Sequence, residues 1–356
     1  MLTVLLCAGK KKEFSEQENR YLSSFPEFSW EGLKEGEYTA DLESYLADHF
    51  PFRDFFMGVK TGFELAIGNR EINDVYIAED GYLIEKYKKP ENTEKIIRVL
   101  KGLNESVTDA EVYLMLVPTA SVIYSGKLPK NAPMESQIDA MTQIYENAGC
   151  KPIHLLGPLS LLRNEEEPLF YRTDHHWTSY GAYIAYQEYC FARGFEPTAL
   201  SSLEEKVVTE EFKGTIYSKV NDYTHKGDKI KIYENPDQKL TVCYTDTGEI
   251  TDSLYNYEYL DKKDKYSFFL NNIHPLIEIT NDAVSSEEEL VLIKDSYANC
   301  MVPFLVNHYR KIYVVDTRYY KEAVSELINQ NPAVKDVLVL YNMNTIDTDL
   351  GIGGIY

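Results

Sequence analysis

Four short apolar runs constrain this chain more than any other feature. Residues 112–117 (VYLMLV), 290–293 (LVLI), 312–315 (IYVV) and 337–341 (VLVLY) are continuous, not alternating, and rich in β-branched side chains. A strand with one face in water alternates apolar with polar residues, whereas a strand buried on both faces does not. Helical segments at 297–309 and 321–329 separate the last three runs, and another at 93–104 precedes the first. A weaker strand at 152–156 is followed by a helix over 178–193, opened by Thr178 or Ser179 as N-cap and closed by Gly194. Strand–helix alternation with short connections predicts an α/β fold, a three-layer α/β/α arrangement around a parallel sheet.

Around that domain, expected over 96–356, the pattern changes. Residues 203–279 are rich in Tyr and Lys and poor in helical periodicity, with antiparallel strands expected at 229–233, 240–244 and 266–270. This reads as a β-rich insertion on one edge of the sheet. An N-terminal extension over 13–95 comprises a polar arm (13–28), two helical stretches broken near Pro51 with one face buried, and a hairpin at 74–84 turning at Asp80-Gly81. Residues 351–354 (GIGG) read as a frayed C-terminus.

Charge and cysteine usage narrow the partners. With 36 basic and 57 acidic residues the formal charge is −21, a surface that repels polyphosphate, so no nucleic-acid partner is expected. The five cysteines form no CxxC pair and no spacing with histidine that suits zinc. The 29 tyrosines suit half-buried packing and also sugar-lined grooves. No interior stretch reaches the roughly 18–20 apolar residues of a membrane span. Residues 1–9 (MLTVLLCAG) are apolar and precede Lys10, Lys11 and Lys12, so 1–12 are expected to be the remnant of a membrane anchor or signal.

Chemistry concentrates in two places. Residues 294–299 (KDSYAN) follow a buried strand and open a helix, so Ser296 stands at the carboxyl end of a strand, where open α/β sheets place ligands. Its backbone N–H points where an oxyanion would develop. Residues 172–178 (RTDHHWT) precede a helix and supply His176 with Asp174 two positions earlier, a base and its orienting partner. Extended chain puts Asp174 and His176 on one face and His175 on the other, leaving His175 to packing or to holding the loop and Trp177 to an aromatic wall. Asp-Ser before a helix is also an ordinary capping pair. An Asp-His-His run also suits a metal-dependent phosphoesterase, but that chemistry needs aspartates at earlier strand ends, and 118–121 (PTAS) supply none. No metal is therefore expected, and without a P-loop or strand-linked GxGxxG no cofactor is either.

Asp174-His175-His176-Trp177, followed by Thr178 and Gly181-Ala182, resembles the signature of the DHHW family, which is related to the alginate O-acetyltransferases AlgX and AlgJ and has an SGNH-hydrolase-like fold. The resemblance extends over 14–30, 48–54, 75–84, 117–129 and 294–299. It implies Ser296 as nucleophile, His176 as base and Asp174 as its partner. The serine block follows the Asp-x-His block, the reverse of ordinary SGNH esterases. Where relatives carry Gly-Gly-Asn upstream of the serine strand, this chain has Leu270-Asn271-Asn272, making Asn272 the candidate second oxyanion donor. Tyr297, Trp177 and His175 are further oxyanion or substrate-binding candidates.

The function this implies is O-acetyl transfer to a cell-surface or exported polysaccharide through an acetyl-serine intermediate. The protein would then be extracytoplasmic and tethered through its N-terminus, with a membrane-bound O-acyltransferase as acetyl-donor partner. A carbohydrate esterase would use the same residues with water as acceptor. A catalytically silent glycan-binding or assembly protein would keep the fold without needing all three.

Overall fold

The computed structural model describes residues 13–15 and 20–355. The continuous apolar runs lie in an eight-stranded sheet. Its strands in chain order are β1 (Glu111–Val117), β2 (Lys151–Ile153), β3 (Leu240–Tyr244), β4 (Glu249–Thr251), β5 (Leu276–Asn281), β6 (Glu289–Lys294), β7 (Lys311–Val315) and β8 (Val334–Asn342). Across the sheet the order is β4-β3-β5-β7-β6-β8-β1-β2. From β7 to β2 every pairing is parallel; β5, β3 and β4 complete the other edge by antiparallel pairing.

Alternate residues of each central strand serve two cores. Leu290 and Leu292 of β6 join Trp177, Ala182 and Tyr186 around helix Ser179–Arg193. Val291 and Ile293 join Leu100, Leu103 and Ile144 from helices Thr93–Ser106 and Gln137–Asn147. Burial on both faces is why these strands lack the apolar–polar alternation of a half-exposed sheet. Thr178 caps its helix by accepting from Gly181 N at 3.1 Å, and Gly194 ends it in the left-handed conformation (φ 84°).

Several local expectations are corrected. Within the 203–279 segment, β3, β4 and the first residues of β5 extend one edge of the central sheet, and the ribbon Glu204–Phe212 with Asp228–Glu234 pairs apart from it. Residues 266–270 are not a strand. Lys265–Phe268 form a 3-10 turn, pinned where Ser267 Oγ donates to Asp264 at 2.7 Å. Tyr266, Phe268 and Phe269 are all buried. The helix expected over 297–309 is instead the 3-10 turn Ser296–Cys300 and the short helix Val302–Leu305, with Pro303 inside its first turn. Val324–Gln330 begins three residues later than expected. The C-terminal segment is ordered, not frayed: Leu350–Gly354 is a 3-10 turn capped by Asp349, and although Gly353 and Gly354 are exposed, Gly351 lies so close to Thr317 O that a Cβ there would stand 1.8 Å away.

In the N-terminal region, strands Val75–Ile77 and Leu83–Glu85 form the expected hairpin. Helices Glu37–Asp48 and Arg53–Ala66 flank Pro51, but the second presents its small face to the body. Gly58 meets the Tyr223 ring and Thr61 Oγ1 donates to Val220 O at 2.6 Å, leaving Phe55, Phe56, Val59 and Phe63 exposed. The Tyr223 ring lies close over Gly58 on this inward face. Among the described residues no helix is long and apolar enough to cross a membrane. The apolar start at 1–9 and its lysines, with Cys7, lie outside the described residues. Cys150, Cys190, Cys243 and Cys300 are free thiols.

Candidate active site

The serine's position follows from the end of β6. Lys294 closes the strand and Asp295 caps the turn that follows: its Oδ1 accepts from Tyr297 N at 2.9 Å and its Oδ2 from Asn342 N at 2.7 Å and from Thr345 Oγ1. The carboxylate thus ties the turn to the end of β8. Within residues 290–306 Ser296 alone is not buried. No hydrogen bond engages its N–H among the described residues, which leaves that donor directed from the start of the turn.

The second element is the loop before helix Ser179–Arg193. Asp228 holds it, accepting from Arg172 N at 3.0 Å and from Thr173 N and Oγ1 at 2.8 and 2.7 Å. Asp174 then accepts from His176 N at 3.0 Å, closing a tight Asx-type turn. Across this turn His176 Nδ1 lies 2.5 Å from Asp174 Oδ1, and Nε2 lies 2.7 Å from Ser296 Oγ. The structure therefore brings Ser296, His176 and Asp174 into one connected line.

The turn also corrects the expectation for His175. The segment bends instead of extending, so the His175 ring does not point away but lies 3.9 Å from the His176 ring at 35°. Its Nδ1 is 2.7 Å from Thr215 Oγ1. Trp177 is no wall of an open site: it is fully buried, and its indole donates to Tyr297 O at 2.8 Å. Tyr297 is buried too, with its hydroxyl given to His175 O and its N–H to Asp295, so neither group is free for substrate. Asn272 closes three consecutive left-handed residues (Leu270, Asn271, Asn272; φ 54°, 55° and 77°), a backbone costly for non-glycine residues. Its side-chain amide lies 3.0 Å from Ser267 Oγ, and no hydrogen bond joins it to Ser296 or His176.

Three supporting residues escaped the sequence reading. Thr215 donates to Asp174 Oδ2 from both N (2.8 Å) and Oγ1 (3.0 Å). Tyr266 stacks on the His176 imidazole, 3.7 Å between centroids at 10°, while its hydroxyl donates to Ser296 O at 3.0 Å. Gly214 stands against the carboxylate, where a Cβ would lie 2.1 Å from Asp174 Oδ2. No local pattern marks these positions; they matter through contacts 30 or more residues away in sequence. Gly214→Ala is accordingly expected to push the carboxylate off line and lower turnover on the order of 10²-fold, the scale of a misplacement of about 1 Å. Steady-state kinetics checks this; wild-type turnover would show that the carboxylate's position is unimportant.

The electrostatics set the resting protonation. Burial works to raise the Asp174 carboxyl, but the two neighbouring imidazoles and its hydrogen bonds hold it well below the usual carboxylate range. Burial, with His175 alongside, depresses His176 below the ordinary 6.5, against the opposing pull of Asp174. The resting pair is thus an anionic Asp174 and a neutral imidazole able to accept a proton from Ser296. Because only the neutral ring works, activity should fall as pH drops through the His176 pKa, and that pKa lies low. Hydrolysis of an activated ester should therefore change little between pH 7.5 and 6.5 and decline only below. A pH–rate midpoint at 7 or above would contradict this reading.

Asp174, His175 and His176 also place donor atoms within 4.8 Å of one another, a spacing a metal ion could use. Asp174 Oδ1 and both His176 nitrogens are engaged in the line to Ser296.

Comparison with known proteins adds to this geometry. The family model described as DHHW protein matches residues 90–315. Curated relatives include the probable alginate O-acetylases AlgJ of Pseudomonas syringae pv. tomato (26% identical over 181 residues, 47% of this chain and 46% of that one) and of Pseudomonas putida (23% over 177 residues, with the same coverage). The chain spans about half the length of the curated relatives it matches. Among solved structures, a DHHW family protein from Eubacterium siraeum superposes with a TM-score of 0.68 at 24% identity, covering 79% of this chain and 95% of that one. Bacillus cereus PatB1 carrying a sulfonyl adduct gives 0.66 at 21% identity, covering 79% and 98%. These likenesses establish a shared α/β/α fold.

Proposed function

The chain belongs to the DHHW family, and on that premise we propose that it is an O-acetyltransferase acting on an exported or cell-surface polysaccharide. The observation that carries the reading is Ser296 Oγ, accessible at the end of β6 and 2.7 Å from an imidazole whose other nitrogen faces a buried carboxylate. The naming of the curated relatives as alginate O-acetylases supports the reaction class.

In the first half-reaction Ser296 Oγ gives its proton to His176 Nε2 and attacks the acetyl carbonyl of the donor. The negative charge on the carbonyl oxygen is met by the Ser296 N–H, with Asn272 Nδ2 as the candidate second donor. Asp174 holds the ring and stabilises the imidazolium, which then returns the proton to the leaving group. In the second half-reaction a sugar hydroxyl loses its proton to His176 and attacks the acetyl-serine. The ester passes to the glycan and Ser296 is regenerated. Splitting the transfer lets one imidazole serve both halves. The same reading places the protein outside the cytoplasm, tethered through an N-terminal segment, with a membrane-bound O-acyltransferase delivering acetyl groups.

The test is incubation with an activated acetyl ester and candidate oligosaccharides, scoring glycan-bound acetyl against free acetate and trapping the acetyl group on the Ser296 peptide by mass spectrometry. Failure to hydrolyse, transfer or acquire acetyl on Ser296 would sink the proposal. Hydrolysis with no acceptor ever acetylated would favour the esterase.

A further inference from the structure

His175 takes no part in the steps above, yet its hydrogen bonds fix its chemistry. Thr215 Oγ1 lies between two neighbours, Asp174 Oδ2 at 3.0 Å and His175 Nδ1 at 2.7 Å. The hydroxyl has one proton, and Asp174, held anionic, has none to give. The hydroxyl must therefore donate to Asp174, because the reverse would set two lone pairs facing each other at 3.0 Å. Its own lone pair then accepts from His175, which puts the proton of the neutral ring on Nδ1. His175 Nε2 is left as a bare acceptor, with no hydrogen-bond partner among the described residues.

That ring lines a groove of about 610 Å³, large enough for a sugar residue and its neighbour. Thr345, which binds the Asp295 carboxylate, forms part of another wall. The groove thus runs beside the site: His175 packs on the ring of the base His176, and Thr345 bonds the carboxylate of Asp295, the residue before Ser296. Its lysines are largely matched by carboxylates, Lys88 with Asp74 at 2.8 Å and Lys219 with Glu85. Paired donors and acceptors with amides such as Asn344 suit a ligand that also offers both, which is the character of a polyhydroxyl chain.

We infer that this groove is the acceptor subsite of the proposed transferase, and that His175 Nε2 accepts a hydrogen bond from the hydroxyl adjacent to the one being acetylated. The acceptor class is therefore a sugar with a vicinal diol. No bond to His175 forms or breaks. The residue selects and orients the acceptor while His176 removes the reacting proton, which favours a sugar over water in the second half-reaction. The inference rests on the transferase reading, and the experiment separates the two.

p-Nitrophenyl acetate serves as donor, with trans-1,2-cyclohexanediol and cyclohexanol as competing acceptors differing by the second hydroxyl. Wild type should acetylate the diol at least about tenfold faster, since a site built to bind a hydroxyl discriminates against the analogue lacking it. Two substitutions divide the ring's roles. His175→Asn keeps a donor near Nδ1 for Thr215 but offers nothing at the Nε2 position; it should lose the diol preference and raise the diol KM about tenfold. His175→Gln reaches toward the Nε2 position and should retain part of the preference. If Asn keeps the preference and Gln loses it, His175 only holds Thr215 and the inference is wrong. Equal use of both alcohols by wild type, or hydrolysis with transfer to neither, also overturns it. Wild type that neither hydrolyses nor transfers overturns the proposed function itself.

Discussion

Ser296→Ala is expected to lower ester turnover on the order of 10⁴-fold or more, the scale for removing a nucleophile whose partners remain. The fold should survive, because the turn depends on Asp295 and not on the serine side chain. Asp295 accepts from Tyr297 N, Asn342 N and Thr345 Oγ1, whereas Ser296 Oγ bonds only to His176 among the described residues. Thermal unfolding of the variant should overlay that of wild type while the kinetics collapse. A variant that unfolds early but keeps its activity per folded molecule would mean that Asp295-Ser296 is an ordinary capping pair.

His176→Ala should cost turnover on a similar scale, on the order of 10⁴-fold, because the same ring accepts the proton of Ser296 and returns it. It also removes a buried ring from between His175 and Tyr266, so some stability will go with it. The decisive comparison is with His175→Ala in the ester-hydrolysis assay, normalised to folded protein. Hydrolysis needs no sugar acceptor, so the His176 variant should be the far more damaged of the two. The opposite ranking would transfer the base to His175.

How much of this the sequence disclosed depended on the range of the interactions involved. The runs within β1, β6, β7 and β8 were readable because burial on both faces writes itself into consecutive residues. Asp174, His176 and Ser296 stood out by residue type at a helix start and a strand end. The orientation of His175 did not, because it follows from an Asx-type turn closed by Asp174 on His176 N and not from the extended chain that spacing alone suggests. Thr215, Gly214 and Tyr266 were silent, since each acts through contacts 30 or more residues along the chain, invisible to any local window. Helix Arg53–Ala66 misled for a related reason: its apolar periodicity is real, but the face that turns inward is the one carrying Gly58 and Thr61, which meet Tyr223 and Val220 far along the chain.

The bond between His176 and Ser296 joins residues 120 positions apart. Closing so long a loop is entropically expensive, and contacts of high sequence separation form late in folding. Secondary structure, the helix caps and the hairpin can all be in place while base and nucleophile are still strangers. Under the proposed function, reactivity would therefore depend on the docking of the loop before helix Ser179–Arg193 against the end of β6.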